Sequence, residues 1–451
     1  MPSAGTAPAT SAEPRAARVH TARTGGPPHR GGRSVEDMVT LLEPARTRVP
    51  APPAPPAPPL QRGPAVVAGL VAVVLLVVVQ HQHGTQKAVL LGLGLGLGAA
   101  LFHARFGFTS GWRQLVAVGN GAGVRAHSLL LGTAATLGLL LLASGSGLFG
   151  TTPAGVEGSL GVGLVLGSFL FGVGMQLGGA CASGTLFAVG SGQSSVLVTL
   201  FGFVVGSVLY TWQYDLVDDL PAWQPVVLQD HVGYLGAWLL TIGALVLVVW
   251  GTKVVQARRN PPPTSPPPTA QGLARVVRGS WSPYVGAVVL AVLASAVIWV
   301  SGGIWGITSA FALWGAEVLQ LLGAHPETWT YWQQPDQAAQ LSGSVLDDKN
   351  SLTNIGIVVG AALAATLAGT YTLRHRFVTK QVVASLVGGI LLGIGARLAN
   401  GCNIGAYLGG ISTGSLSGWI WGLVALAGTW VGLKLRPAFG LDVPKRYDGV
   451  C

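Results

Sequence analysis

The stretch GARLANGCNIGAYLGGIS, residues 395–412, ends an apolar run and carries Arg397, Asn400, Cys402 and Asn403 among five glycines. An earlier stretch, GMQLGGACASGTLFAVGSG at 174–192, has the same shape. Pairing FGVGMQLGGACASGTLF (171–187) with LGIGARLANGCNIGAYL (392–408) needs no gaps. It sets Gly172 on Gly393, Gly174 on Gly395, Leu177 on Leu398, Cys181 on Cys402 and Gly184 on Gly405. Upstream, FGFTSGW (106–112) pairs with WGITSAF (305–311), with Gly107 on Gly306, Thr109 on Thr308 and Ser110 on Ser309. Both elements recur in the same order, so the chain is built from two copies of one device.

The surroundings of the device decide its class. Half of the 451 residues are hydrophobic and only 9% are charged, against roughly a quarter in a soluble domain. VVAGLVAVVLLVVV (66–79) and TIGALVLVVW (241–250) contain no charge, which marks a polytopic membrane protein. The 67 glycines suit close helix contact and interrupted helices in lipid. Three cysteines, Cys181, Cys402 and Cys451, give no even disulfide framework, and there is no CxxC, HExxH or GxxxxGK[ST] motif. No metal and no cofactor are therefore expected. LGLGLGLG (91–98) follows no strand and reads as a close-packing helix face, not a nucleotide loop.

Residues 1–62 are Pro, Ala and Arg-rich and read as a disordered cytoplasmic tail, not a signal peptide. A second proline-rich segment, 257–280, separates a first membrane half, 63–256, from a second, 281–436, and 437–451 is read as a cytoplasmic C-terminal tail. About ten spans are expected, near 64–80, 86–104, 127–147, 159–178, 194–212, 232–252, 283–301, 353–373, 381–398 and 415–434. Four segments, 106–122, 180–192, 303–323 and 401–413, are too apolar for water and too glycine-broken to span. Irregular backbone at membrane depth survives only against protein or a cavity, so these are read as re-entrant or broken half-helices.

Charge sets the orientation. With the tail inside, of the 26 Lys and Arg only Lys87, Lys349 and Arg397 fall outside, while Asp215, Asp218 and Asp219 lie in an opposite loop. That is the positive-inside asymmetry, with both termini cytoplasmic in a multi-pass protein of the cell (inner or plasma) membrane. It also accounts for the basic net charge and removes nucleic acid from the partners. Membrane lipid is the expected surround. The first TS element and Cys181 then face the cytoplasm, the second TS element and Cys402 the outside, and the halves run in opposite senses.

Inverted repeats with paired broken helices are a transporter architecture, and two half-helix N-termini approaching from opposite faces suit an anion. The doubled G-x-G-x-x-L-x-x-G/A-C-x-x-G element with its TS partner resembles the YeeE/YedE family of sulfur-compound transporters over roughly residues 86–434. The resemblance implies an all-α inverted-repeat fold and import of thiosulfate or a thiosulfate-like small anion. It also implies substrate handover between the central cysteines, here Cys181 and Cys402. A further cysteine common in the family falls at Gly107 here and is missing, as is the CPxP motif of a fused sulfur carrier, so a separate cytoplasmic sulfur-carrier protein is a candidate partner.

Gly179, Gly184, Gly401 and Gly405 are read as admitting backbone to the solute, with Asn403 binding or capping beside Cys402. Thr109, Ser110, Thr308 and Ser309 are read first as caps of their half-helices and second as solute donors. Arg397 attracts anions or anchors the interface. Asn354 is read as interfacial, and Trp305, Trp314 and Trp421 as belt or packing residues. Two alternatives stay open: a carrier of selenium or other sulfur compounds, and a membrane thiol sulfurtransferase component. Against an enzyme, His103, His127 and His375 are expected at span ends, with no base beside either cysteine.

Overall fold

Glycine decides where the helices of this protein can touch. The computed structural model describes residues 58–261, 270–373 and 378–445. Most of the N-terminal tail, the middle of the second proline-rich segment, His375 and Cys451 lie outside the described residues.

Helix α1 covers Arg62–Ala104 with a break at Gly84 (φ 83°, ψ 176°), followed by α2 Phe108–Val118 and α3 Ala122–Ser144. Next come α4 Val162–Leu177, α5 Ala182–Gly190, α6 Val196–Trp212 and α7 Leu228–Arg259. The short α8, Ala274–Arg278, leads to α9 Pro283–Ser301 and α10 Thr308–Leu321. A loop carrying α11 Thr330–Gln333 and α12 Pro335–Ser342 precedes α13 Lys349–Leu367 and α14 Thr379–Leu398. A π-helix, Asn403–Gly409, then runs into α15 Gly410–Ser412, and α16 spans Leu416–Leu435. Among the described residues the strands are one antiparallel pair, Leu160–Gly161 against Ala222–Trp223. The protein is an all-α polytopic membrane protein.

Eight stretches of the described residues are long and apolar enough to cross a bilayer. The expected count was about ten, and two features account for the difference. Gly84 splits the first stretch into the two spans expected there, and α6, at 17 residues, is shorter than the about 20 a straight crossing needs. Helix α7 continues past its apolar run to Arg259, since a basic last turn suits the negative end of the helix dipole. The four glycine-broken segments are the short helices α2, α5 and α10 and the π-helix with α15.

The packing repeats itself. In chain order α1, α2, α3, α4, α5 and α6 correspond to α9, α10, α13, α14, the π-helix with α15, and α16. Helix α1 packs on α13 as α9 packs on α3, and α4 packs on α16 as α14 packs on α6. Helix α5 meets α13 as α15 meets α3, and α2 meets α16 as α10 meets α6. The halves therefore interlock.

The equivalent helices α4 and α14 also pack on each other, and their sense is legible at their glycines. A Cβ on Gly167 would stand 2.6 Å from the Gly395 carbonyl, whereas one on Gly174 would stand 2.8 Å from the Gly388 carbonyl. Rising residue numbers on one helix meet falling numbers on the other, so equivalent helices run antiparallel and the second half is inverted. LGLGLGLG packs as expected: Cβ atoms on Gly94 and Gly98 would fall 2.7 and 2.2 Å from the Thr353 and Ile357 carbonyls of α13.

The two ends of the bundle differ in charge. At one end Arg259 Nη1 donates to the Val116 carbonyl at 3.0 Å, Arg113 Nε to Gln176 Oε1 at 3.0 Å, and Arg436 Nη1 to the Gln176 carbonyl. At the other end lie Lys349, whose Nζ donates to the Ile304 carbonyl at 3.0 Å, and Asp348, whose carboxylate caps α13 at Ser351 N.

Candidate functional site

The site is built where α4 and α14 stop. After Leu177 the chain turns through Gly179 at φ 82°, and after Leu398 through Asn400 at φ 55°, the paired position of the second copy. Each turn delivers a cysteine in extended conformation to the N-cap of the next short helix: Cys181 (φ −87°, ψ −175°) before α5 and Cys402 (φ −100°, ψ −168°) before the π-helix. Both thiols are free and 1% exposed. Cys402 Sγ accepts from Ile404 N at 3.4 Å, and Cys181 Sγ lies 3.6 Å from Ser183 Oγ. Helix α5 and the π-helix touch, so the two cysteine turns meet in the core.

Only a residue that tolerates positive φ fits these turns. A left-handed conformation costs an ordinary L-residue roughly 1–2 kcal/mol, and Asn less. Nothing lies within 4 Å of a Cβ built on Gly179, so Gly179→Asn should be tolerated, because Asn400 already serves in the other copy. Gly179→Val, bulky and β-branched at φ 82°, should lose several-fold more folded protein in the membrane than Gly179→Asn. Equal abundance of the two variants would show that the turn does not constrain the thiol. Gly401 is tighter still: a Cβ there would lie 2.7 Å from Ala406 N.

The TS elements do not cap their helices, contrary to the first reading; neither α2 nor α10 has a side-chain cap. Other partners take three of these hydroxyls. Ser110 Oγ donates back to the Gly107 carbonyl at 3.0 Å, and Ser309 Oγ accepts from Asn350 Nδ2 at 2.5 Å. Thr308 Oγ1 accepts from Arg397 Nη2 at 3.2 Å. Thr109 Oγ1 is buried with no hydrogen-bond partner among the described residues.

A cavity of about 390 Å³ opens at the arginine-bearing end and reaches this first copy. Gly107, Thr109, Ser110, Gly179, Cys181 and Gly184 all line it, with the cations Arg105 and Arg436 and the hydroxyls of Ser195, Thr199 and Ser385. The second copy is covered. Arg397, half-buried, spans from Thr308 to Tyr331 Oη at 3.4 Å. Tyr331 stacks edge-on against Tyr210 and Tyr214, and Trp332 beside it is 2% exposed against α10. The loop bearing α11 thus closes over Arg397.

Asn403 is buried, with Nδ2 3.9 Å from Met175 Sδ and Oδ1 unpartnered among the described residues. Gly405 sits beside Ile304, and Gly184 beside the Cys181 sulfur. Asn354 is not interfacial: it is fully buried and donates to the Ile307 carbonyl at 2.9 Å, holding the start of α10. Trp305 and Trp421 are core residues, 3% and 0% exposed, not belt residues. His127, near the start of α3 as expected, is buried and stacks on Phe108, the first residue of α2, so it also adjoins a broken element. Among the described residues no three His, Cys, Asp or Glu side chains gather as a metal site. Sequence reading missed Gln176, Arg436 and Tyr331 as neighbours of the site. Only Gln176 carried a signal, since it occupies the place of Arg397 in the gapless pairing.

The chain is 27% identical over 356 residues to the thiosulfate transporter TsuA of Escherichia coli, covering 76% of this chain and 93% of that protein. It is 26% identical over 293 residues to TsuA of Spirochaeta thermophila, covering 60% and 76%. It is 32% identical over 165 residues to the probable transporter YedE of E. coli, spanning only 40% of that relative's length. The model of the sulphur transport family matches residues 103–431, which hold both cysteine turns and both TS elements, and the chain belongs to that family.

Proposed function

We propose that this protein is a membrane permease that imports a small sulfur-containing anion, thiosulfate first, handing it from Cys402 to Cys181. The observation that carries the reading is the inverted pair of cysteine turns meeting in the core, with a cationic cavity leading away from Cys181. A thiol is a weak, polarisable donor, matched to a terminal sulfur better than to oxygen. Short-helix N–H groups add positive potential without a buried lysine at the crossing point. The conformation is open toward the arginine-bearing end and closed by Tyr331 and Arg397 at the other. The two TsuA relatives, named as thiosulfate transporters, support the choice of substrate. The sulfur-transferase reading gains no observation here.

The arginine-bearing end is assigned to the cytoplasm on the positive-inside rule. Residues 1–62, 257–280 and 437–451 are then cytoplasmic tail, linker and tail around the two membrane halves, and a cytoplasmic sulfur carrier would collect the anion at the cavity mouth. In intact cells an impermeant thiol reagent should label Asp218→Cys but reach Thr264→Cys only after permeabilisation. The reverse pattern would overturn the orientation. Function itself is tested by radiolabelled thiosulfate uptake in a transport-deficient strain. Uptake should be saturable and resist excess sulfate; no uptake above the empty strain would refute the substrate.

A further inference from the structure

The two copies of the site differ in where their positive charge comes from. Arg397 brings its guanidinium to Thr308, the threonine of its own copy's TS pair. Its paired position in the first copy is Gln176, fully buried, whose Nε2 lies 3.5 Å from the Thr109 carbonyl. Gln176 occupies the same place but carries no charge. Its side chain instead accepts from Arg113 Nε at 3.0 Å, and its backbone carbonyl takes a second cation. Arg436, which follows α16, donates through Nη1 to the Gln176 carbonyl and through Nε to the Asp442 carbonyl at 2.8 Å.

Arg436 is 6% exposed, yet it lines the cavity that holds Thr109 and Cys181. Its two bonds go to backbone carbonyls, which orient the guanidinium without neutralising it. A buried cation held this way is costly to the fold unless an anion visits it. Thr109 Oγ1, unpartnered and buried in the same wall, supplies the matching donor.

We infer that Arg436 and Thr109 form an inner oxyanion station, with the backbone carbonyl of Gln176 orienting the guanidinium. The station is the first-copy counterpart of Arg397 and Thr308. Its ligand is the oxyanion end of the carried solute after it leaves Cys181. This rests on the transport reading above. One guanidinium behind each cysteine keeps an anion's electrostatic energy similar on both sides of the midplane, which favours passage over trapping.

The test separates the two faces. Thiosulfate exchange is measured in inside-out vesicles, which present the cytoplasmic face, and in right-side-out vesicles. Arg436→Gln should raise the cytoplasmic-face KM about ten-fold while the outer-face KM stays within about two-fold. Arg436→Lys should recover most of the loss, because it keeps the charge. If Arg436→Gln does not accumulate, Gln381→Glu on the exposed wall of the same cavity carries the test, and it too should raise the cytoplasmic-face KM. An unchanged cytoplasmic-face KM in whichever of these accumulates overturns the station. Wild-type vesicles that exchange no thiosulfate overturn the transport reading itself.

Discussion

Replacing Cys402 or Cys181 by alanine is expected to cut thiosulfate uptake about ten- to hundred-fold at normal membrane abundance. Each thiol stands at the N-cap of a short helix in the core, and a donor to a charged group is worth roughly 1.5–3 kcal/mol. A tenfold change corresponds to about 1.4 kcal/mol, which sets the range. Serine separates chemistry from packing. At position 402 the side chain caps the π-helix by accepting from Ile404 N, and serine is a favoured cap, so Cys402→Ser should fold at least as well as the parent. Its hydroxyl is a harder donor, so uptake should still fall, though no further than in Cys402→Ala. Wild-type rates in both alanine variants would reduce the cysteines to core packing.

The second large effect is on assembly. Helices α4 and α14 meet backbone to backbone across Gly167, Gly174, Gly388 and Gly395. A Cβ on Gly388 would stand 2.2 Å from Gly178 N and 2.8 Å from the Gly174 carbonyl. These are backbone atoms and cannot rotate away. Overpacking by a single methylene costs typically about 1–3 kcal/mol, and a valine here would force the helix axes apart. Gly388→Val should therefore leave little folded protein in the membrane, read as lost detergent-resistant monomer. Gly243→Ala, inside α7 with helical backbone and nothing within 4 Å, serves as the tolerated control. Normal accumulation of Gly388→Val would mean that the two halves do not meet as described.

What could be read from the sequence follows from what leaves a linear trace. A helix that stops in lipid needs a residue free to turn, so the Gly179 and Asn400 positions and the cysteines after them stand out in an apolar background. Antiparallel halves leave a trace in loop charge. Longer-range partnerships leave none. The Arg397 guanidinium finds Tyr331 across 66 residues, and Arg436 finds Gln176 across 260, so neither contact shows in local pattern. The TS hydroxyls were misread as caps because Ser and Thr at a helix start usually are caps; here a neighbouring Asn and Arg take two of them. Asn354 was misread because an Asn early in a span looks interfacial until the carbonyl it holds, Ile307, is in place. The closure over Arg397 was invisible because α11 and α12 are short, polar-flanked helices without a membrane signature.

The central claim, that the solute touches the thiols, is tested most directly by the rate at which Cys181 is alkylated from the cytoplasmic face. Inside-out vesicles carrying the Cys451→Ser variant are treated with a small charged thiol reagent, and modification is read at the Cys181 peptide. The cavity gives the reagent a route to this thiol. Thiosulfate at concentrations that saturate uptake should slow the reaction several-fold, and equal sulfate should slow it far less. Identical rates with and without thiosulfate would contradict the account.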